Sequence, residues 1–412
     1  MVIVTGTVHA RADAIDEVLA LAREHVARSR TEPGCLEHGV AIDADDPQRL
    51  VFFERWADRA AIGAHMKLPA SREFGTRLMA LVDRPPTLNL RRERSDSNES
   101  DAMTFQQDDS TPEADAPPHF ADANGVRLCH DSFGAATDPP LLLVMGLGSQ
   151  MIAWDERFCG QLAARGFRVI RFDNRDIGLS TRFDAAGVPN VGAALMALMQ
   201  GRPIPAPYLL RDMAEDARGL LDALGIARAH VVGASMGGAI AQLLAIHHPQ
   251  RVASLTSIMA TSGAPGLPPP TPEAMAVLTR PTPTDLPSYT EGYRQAWRVL
   301  RAGRFAPDEA LDAQRAARTF ARGLNPAGAA RQMVAILASG SRKAALAGVT
   351  VPTLVIHGNV DPLVPVECGI DVARTVPGAK LVVIDGMGHA LPISMWPQII
   401  DAIATHAAAT PA

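Results

Sequence analysis

Apolar and polar residues alternate along Val2 to Val8, Cys35 to Ile42 and Leu50 to Trp56, a period of two that predicts β-strands. Between the first two runs, Ala12 to Ser29 repeats its apolar positions at the spacing of an amphipathic helix. Helical segments follow Trp56, and Thr87 to Arg91 closes the series as a last strand. This β-α-β-β-α-β order predicts a ferredoxin-like α+β domain over residues 1–94, with one sheet face left open.

From Ser95 to Pro118 the periodicity stops: the stretch holds seven acidic residues and no basic one, interrupted by Ser, Gln and Pro. Such a composition cannot bury a core, so 95–118 is expected to be an acidic, disordered linker. Residues 119–412 then alternate short apolar runs with amphipathic segments. After the hairpin-like His119 to Asp131, strands are predicted at Pro140 to Met145, Arg168 to Phe172, Ala229 to Gly233, Val252 to Met259, Thr353 to His357 and Lys380 to Ile384. Parallel strands need long crossovers, so the pattern predicts an α/β fold, a mostly parallel sheet with helices on both faces.

Roughly ninety residues separate the strand ending near Met259 from the one starting at Thr353, far more than a loop spans. They predict a helical cap at about 263–345. It enters through the Pro-rich Pro265 to Pro287 and continues in helices near Thr290 to Ala302, Pro307 to Gly323 and Ala327 to Ser339. Val191 to Met199 offers a second apolar lid element.

Composition narrows the partners. With 39 basic and 44 acidic residues the net charge is −5, which gives no electrostatic reason to expect nucleic acid or an anionic membrane. A small-molecule partner is expected instead. Cys35, Cys129, Cys159 and Cys368 stand far apart, so neither a zinc site nor a disulfide framework is expected, consistent with a cytoplasmic protein. No apolar run reaches transmembrane length, and the first residues lack the layout of a signal peptide.

The chemistry centres on Gly233-Ala-Ser235-Met-Gly237, between the strand Ala229-His-Val-Val and an apolar helix. Flanking glycines permit a sharp turn that lifts a serine hydroxyl clear of strand and helix, the form of a nucleophile elbow. A serine hydroxyl needs a base, and the order Ser, Asp, His places the partners downstream. Asp361 follows a strand in Gly358-Asn-Val-Asp-Pro, and His389 follows another in Gly386-Met-Gly-His-Ala. Asp385 also precedes His389, but it ends its own strand, where turn hydrogen bonding is the commoner use. Acyl transfer further requires two backbone donors for the oxyanion. Met236 N–H, just after the nucleophile, is the first, and Leu147 N–H, in Met145-Gly-Leu-Gly-Ser, is the expected second. No cofactor or metal is called for.

Residues 119–412 resemble the α/β-hydrolase superfamily through these motifs and through Arg171-Phe-Asp-Asn-Arg-Asp-Ile-Gly-Leu-Ser. Within it the chain is similar to the aclacinomycin methylesterases, through Leu143-Val-Met-Gly, Arg175-Asp-x-Gly-x-Ser180 and His230-Val-Val-Gly with Ser235-Met-Gly. The resemblance implies a carboxylic ester substrate, such as a methyl ester on a polycyclic aromatic. In much of the superfamily a His-Gly pair supplies the second oxyanion donor, and here Met145 stands in the place of that histidine. Fold and triad do not fix the bond cleaved, so carbon–carbon hydrolysis and perhydrolysis stay open. Residues 1–94 resemble the antibiotic biosynthesis monooxygenase (ABM) family, through Glu32-Pro-Gly-Cys-Leu, Phe53-Glu-Arg-Trp56 and the Asp58 to His65 helix. That resemblance implies a homodimer paired through the sheets, and an oxidative activity without metal or flavin that would make the chain bifunctional. Trp56 and His65 are the residues that could line an oxidative pocket, although both also suit packing.

Overall fold

The computed structural model describes residues 2–43, 46–83, 87–92, 118–302 and 309–410. The chain divides into two compact units, Met1–Ser110 and Thr111–Ala412. The stretch expected to be a linker, 95–118, lies outside the described residues apart from Pro118.

The first unit runs β1 (Val2–His9), α1 (Ile15–Ser29), β2 (Cys35–Ile42), β3 (Arg49–Trp56), α2 (Arg59–Lys67), α3 (Pro69–Met79) and β4 (Thr87–Arg92). Its antiparallel sheet has the order β2-β3-β1-β4. Alternation sorts β3: Leu50, Phe52, Glu54 and Trp56 are buried, whereas Val51 and Arg55 are half-buried and Phe53 is exposed. The buried face packs on Val18, Leu21, Ala22 and Val26 of α1. Asp58 caps α2 by accepting a hydrogen bond from Ala61 N–H at 2.8 Å. Pro69 cannot continue that helix, so Leu68 turns extended and Pro69 starts α3 as its first residue.

The second unit opens on the hairpin β5 (His119–Ala123) and β6 (Val126–Phe133), followed by β7 (Pro140–Val144), α4 (Glu156–Ala163) and β8 (Arg168–Phe172). Next come α5 (Val191–Met199), α6 (Leu210–Ala223), β9 (Ala229–Ala234), α7 (Met236–His247) and β10 (Val252–Ile258). Among the described residues, five helices lie between β10 and the next strand: α8 (Pro272–Thr279), α9 (Leu286–Arg301), α10 (Glu309–Ala321), α11 (Pro326–Ser339) and α12 (Lys343–Leu346). The chain ends with β11 (Thr353–Gly358), α13 (Val366–Thr375), β12 (Lys380–Ile384) and α14 (Trp396–Ala408).

The sheet order is β12-β11-β10-β9-β7-β8-β6-β5, parallel from β12 to β8 and antiparallel at β6 and β5. Its central strands are buried on both faces, which is why they read as continuous apolar runs. Leu142, Val144 and Val231 face a core shared with α6, α7 and α13, and Leu141, Leu143 and Val232 face one shared with α4 and α14. Each fully buried Ile of α14 (Ile399, Ile400) contributes about 1.5–3 kcal/mol to holding that layer.

Within the expected cap, α8 forms inside the stretch read as a Pro-rich entry, and α9 begins before Thr290, where periodicity places its start. Thr271 caps α8 by accepting from Ala274 N–H at 3.2 Å, and Asp285 caps α9 by accepting from Ser288 N–H at 2.9 Å. Pro272 and Pro287 sit in the first turns, where a missing N–H costs nothing, so prolines that read as a loop in fact open helices. Arg315 and Arg318 of α10 and Arg322, just past its end, reach Asp155, Glu156 and Asp173 at 2.9, 2.9 and 2.5 Å.

Candidate active site

Ser235 lies between β9 and α7 with φ +57°, a left-handed backbone that a non-glycine residue rarely adopts. The neighbouring glycines are what make it feasible: a Cβ at Gly233 would fall on the Gly237 backbone, and one at Gly237 on the Val144 carbonyl. The hydroxyl is thereby raised at the C-terminal edge of the sheet, where ligands of open α/β sheets bind.

The loops after β11 and β12 bring Asp361 and His389 to the same edge. Ser235 Oγ is 2.9 Å from His389 Nε2, and His389 Nδ1 is 2.7 Å from Asp361 Oδ2. The other carboxylate oxygen, Oδ1, accepts from Leu363 N–H at 2.9 Å and Val364 N–H at 2.8 Å. Burial alone would favour the neutral acid, but the attraction of His389 and hydrogen bonds from His357, His389 and Val364 outweigh it, holding Asp361 at about 2. A carboxylate so fixed keeps the Nδ1 proton of the imidazole in place and leaves Nε2 free to accept from the serine.

The loop after β7 passes against Ser235, close enough that a Cβ at Gly146 would stand 3.6 Å from Ser235 Oγ. Leu147 follows on that loop. Asn174 holds it by donating to Met145 O at 2.9 Å, and Gln332 of α11 by accepting from Gly148 N–H at 2.9 Å. Met236 is the first residue of α7, whose opening N–H groups have no partner within the helix. A reacting carbonyl carbon beside Ser235 Oγ would thus have its oxygen between two peptide segments.

Three contributors carry no sequence signal. Gln332 is fully buried in α11 and also donates to Arg175 O at 2.8 Å, but a glutamine in an amphipathic helix looks like a surface residue. His357, fully buried at the end of β11, donates from Nε2 to Val364 O at 2.7 Å and stands 3.6 Å from Asp361 Oδ2. His389 N–H donates to Leu300 O of α9 at 2.7 Å, a pairing across 89 residues of chain, counted as 389 − 300. The neighbouring Arg175 and Asp173 serve the scaffold: Arg175 is paired with buried Asp216 at 2.6 Å, and Asp173 accepts from Met151 N–H at 2.7 Å. Asp385 accepts from Asn359 at 2.9 Å, a contact between two loops.

In the first unit, Trp56 and His65 lie with ring centroids 4.7 Å apart. Trp56 Nε1 donates to Glu54 at 2.7 Å, and His65 Nδ1 pairs with Glu32 at 2.8 Å. His25 and His38 complete a buried group, each within 6.2 Å of His65 by ring centroids. Both ring nitrogens of His38 lack a hydrogen-bond partner among the described residues. No group of His, Cys, Asp or Glu among the described residues is arranged to hold a metal ion.

An eight-stranded sheet, a serine on a strained strand-to-helix turn and an imidazole within reach of it define a class, and the family comparison agrees: residues 139–394 match the α/β hydrolase fold family, so the chain belongs to the α/β hydrolases and is an enzyme. Residues 1–77 match the antibiotic biosynthesis monooxygenase family. Among individual proteins, the chain is 32% identical over 317 residues to a rhodomycin D methylesterase of Streptomyces sp. strain C5, covering 70% of this chain and 98% of that protein. It is 30% identical over 285 residues to the 2-hydroxymuconate semialdehyde hydrolase of Pseudomonas sp. strain CF600, covering 67% and 87%. A solved hydrolase structure from Pseudomonas aeruginosa PA01 superposes with TM-score 0.52 at 27% identity, over 71% of this chain and 98% of that one. No helix among the described residues is long and apolar enough to cross a membrane.

Proposed function

We propose that the chain hydrolyses a carboxylic ester through an acyl-enzyme, with Ser235 as nucleophile, His389 as general base and then acid, and Asp361 as the group that orients and stabilises the imidazole. The observation that carries this reading is the 2.9 Å contact between Ser235 Oγ and His389 Nε2. As Oγ bonds to the ester carbon, Nε2 takes its proton, and the resulting oxyanion is held by the N–H groups of Met236 and Leu147. Collapse expels the alcohol, which receives that proton from His389, and water repeats the sequence on the acyl-enzyme. The similarity to a rhodomycin D methylesterase favours a methyl ester on a polycyclic aromatic skeleton. Ser235→Ala should abolish both hydrolysis of p-nitrophenyl acetate and labelling by a fluorophosphonate; retained labelling would remove Ser235 from the mechanism.

The similarity to a semialdehyde hydrolase keeps carbon–carbon cleavage as a second reading of the same triad, separable by assaying methyl esters against vinylogous diketones. For the first unit we propose pairing into a homodimer through the open sheet face, where Phe53 is exposed, and oxidation of an aromatic compound beside the Trp56, His65 and His38 rings, where the His38 ring makes no hydrogen bond among the described residues and its Nε2 lies 3.7 Å from Glu54. Sedimentation of the whole chain tests the former, and oxygen uptake with quinols the latter.

A further inference from the structure

The backbone of the catalytic-base loop does not rest on the sheet alone. His389 N–H donates to the carbonyl of Leu300, in the last turn of α9, at 2.7 Å. Approach here is so close that a Cβ on Gly388 would fall on the carbonyl oxygens of both Leu300 and Arg301. Leu300 also packs in a small apolar cluster with Ala274 and Leu363, and Leu363 is one of the two residues whose N–H groups bind Asp361. One end of one cap helix therefore touches the loops of both the base and its acid.

That end is fastened. Arg301 forms a two-pronged pair with Asp312 of α10, at 2.6 and 2.5 Å, and Asp312 is almost completely buried. The Arg301 guanidinium also lies 5.7 Å from the Trp297 ring one turn earlier. A forked pair fixes direction as well as distance, which a single point charge does not. Asp312 is in turn on the helix whose Arg315 and Arg318, with Arg322 just past its end, are paired to the body of the domain.

We propose that Arg301, through Asp312, is a positioning residue for His389: it holds the last turn of α9 where the Leu300 carbonyl sets the height of the imidazole over Ser235. The inference rests on the triad reading above. A side chain that touches neither substrate nor reacting atoms thereby governs the rate of proton transfer, because misplacing a base by about 1 Å costs on the order of 100-fold in rate.

The test uses the full chain with p-nitrophenyl acetate, a substrate too small to depend on the cap for binding, and with a fluorophosphonate. Arg301→Met should lower kcat about 10- to 100-fold with KM changed less than about threefold, and slow fluorophosphonate labelling by the same factor. Arg301→Lys, which keeps a charge beside Asp312, should recover part of the loss. Gly388→Ala, which pushes the two carbonyls away from the loop, should lose a similar factor, and the double variant no more than the worse single one. Losses that multiply in the double variant would overturn the proposal. So would a folded Arg301→Met variant with normal kcat and raised KM, the mark of a merely structural cap. If Gly388→Ala does not fold, the Met and Lys variants decide alone. Persistent labelling of Ser235→Ala would instead strike the triad reading, so the two failures are distinguishable.

Discussion

Replacing Asp361 by asparagine changes one oxygen to nitrogen and leaves the shape of the site intact. The amide then has two orientations. With its oxygen kept toward Leu363 and Val364, both backbone hydrogen bonds survive, at 2.9 and 2.8 Å, but its NH2 faces His389 Nδ1. The imidazole must answer with an unprotonated Nδ1, which puts its proton on Nε2, against the Ser235 hydroxyl it should accept from. With the amide flipped, the tautomer is right but two buried N–H groups face an NH2. Each unsatisfied donor costs about 1–3 kcal/mol, so the competent orientation is disfavoured by about 2–6 kcal/mol. At 1.4 kcal/mol per factor of ten, kcat/KM should fall between about 30-fold and about 10⁴-fold. The assay is steady-state hydrolysis of p-nitrophenyl acetate, with circular dichroism to confirm a folded chain. A variant keeping more than about a tenth of the parent's kcat/KM would refute the role given to Asp361.

Acid should loosen the first unit. Burial first, and then the neighbouring imidazoles and arginines, push His25 down to about 3 and His38 to about 4. The unfolded chain protonates these rings near 6.5 and the folded one does not, so stability is complete above pH 6.5 and falls as pH drops toward 4. Glu54, pushed up by burial, acts in the opposite sense and offsets part of that loss. Hydrogen exchange in residues 2–83, corrected for intrinsic rates, should quicken from pH 7 to 5; an unchanged rate contradicts the assignment. Arg175→Ala strips buried Asp216 of a partner at 2.6 Å and should destabilise the second unit by about 3–5 kcal/mol in denaturant titrations. Gly233→Ala, with its methyl driven into the Gly237 backbone, should yield little folded protein, and a soluble variant of normal activity would show that the elbow is less tightly packed than described.

What could be read from the chain follows from where its signals are local. The strands β7, β9 and β10 announce themselves because burial on both faces leaves unbroken apolar runs. Ser235 is legible for a similar reason: its strained turn demands glycine at 233 and 237, and those demands are written within five residues. The start of α9 was hidden because proline ordinarily signals a break, and only the cap by Asp285 makes Pro287 a helix opener. Gln332 and Leu300 stayed invisible because each acts through a partner distant in sequence, and Leu300 contributes only a carbonyl that any residue would carry; His357 has near partners, but at the end of an apolar strand it reads as one more core position.

On the proposed mechanism the helices α8 to α12 also separate the nucleophile in time from its partners, since Ser235 precedes them while Asp361 and His389 follow. On a ribosome adding about 5–20 residues per second, the 154 residues between hydroxyl and imidazole take roughly 8–30 s to emerge. A nascent chain thus carries its elbow for many seconds without the imidazole proposed to draw a proton from it. On the proposed mechanism the reactive centre is switched on only once residue 389 has been made and folded into place, so a fragment ending before it should be inert toward p-nitrophenyl acetate.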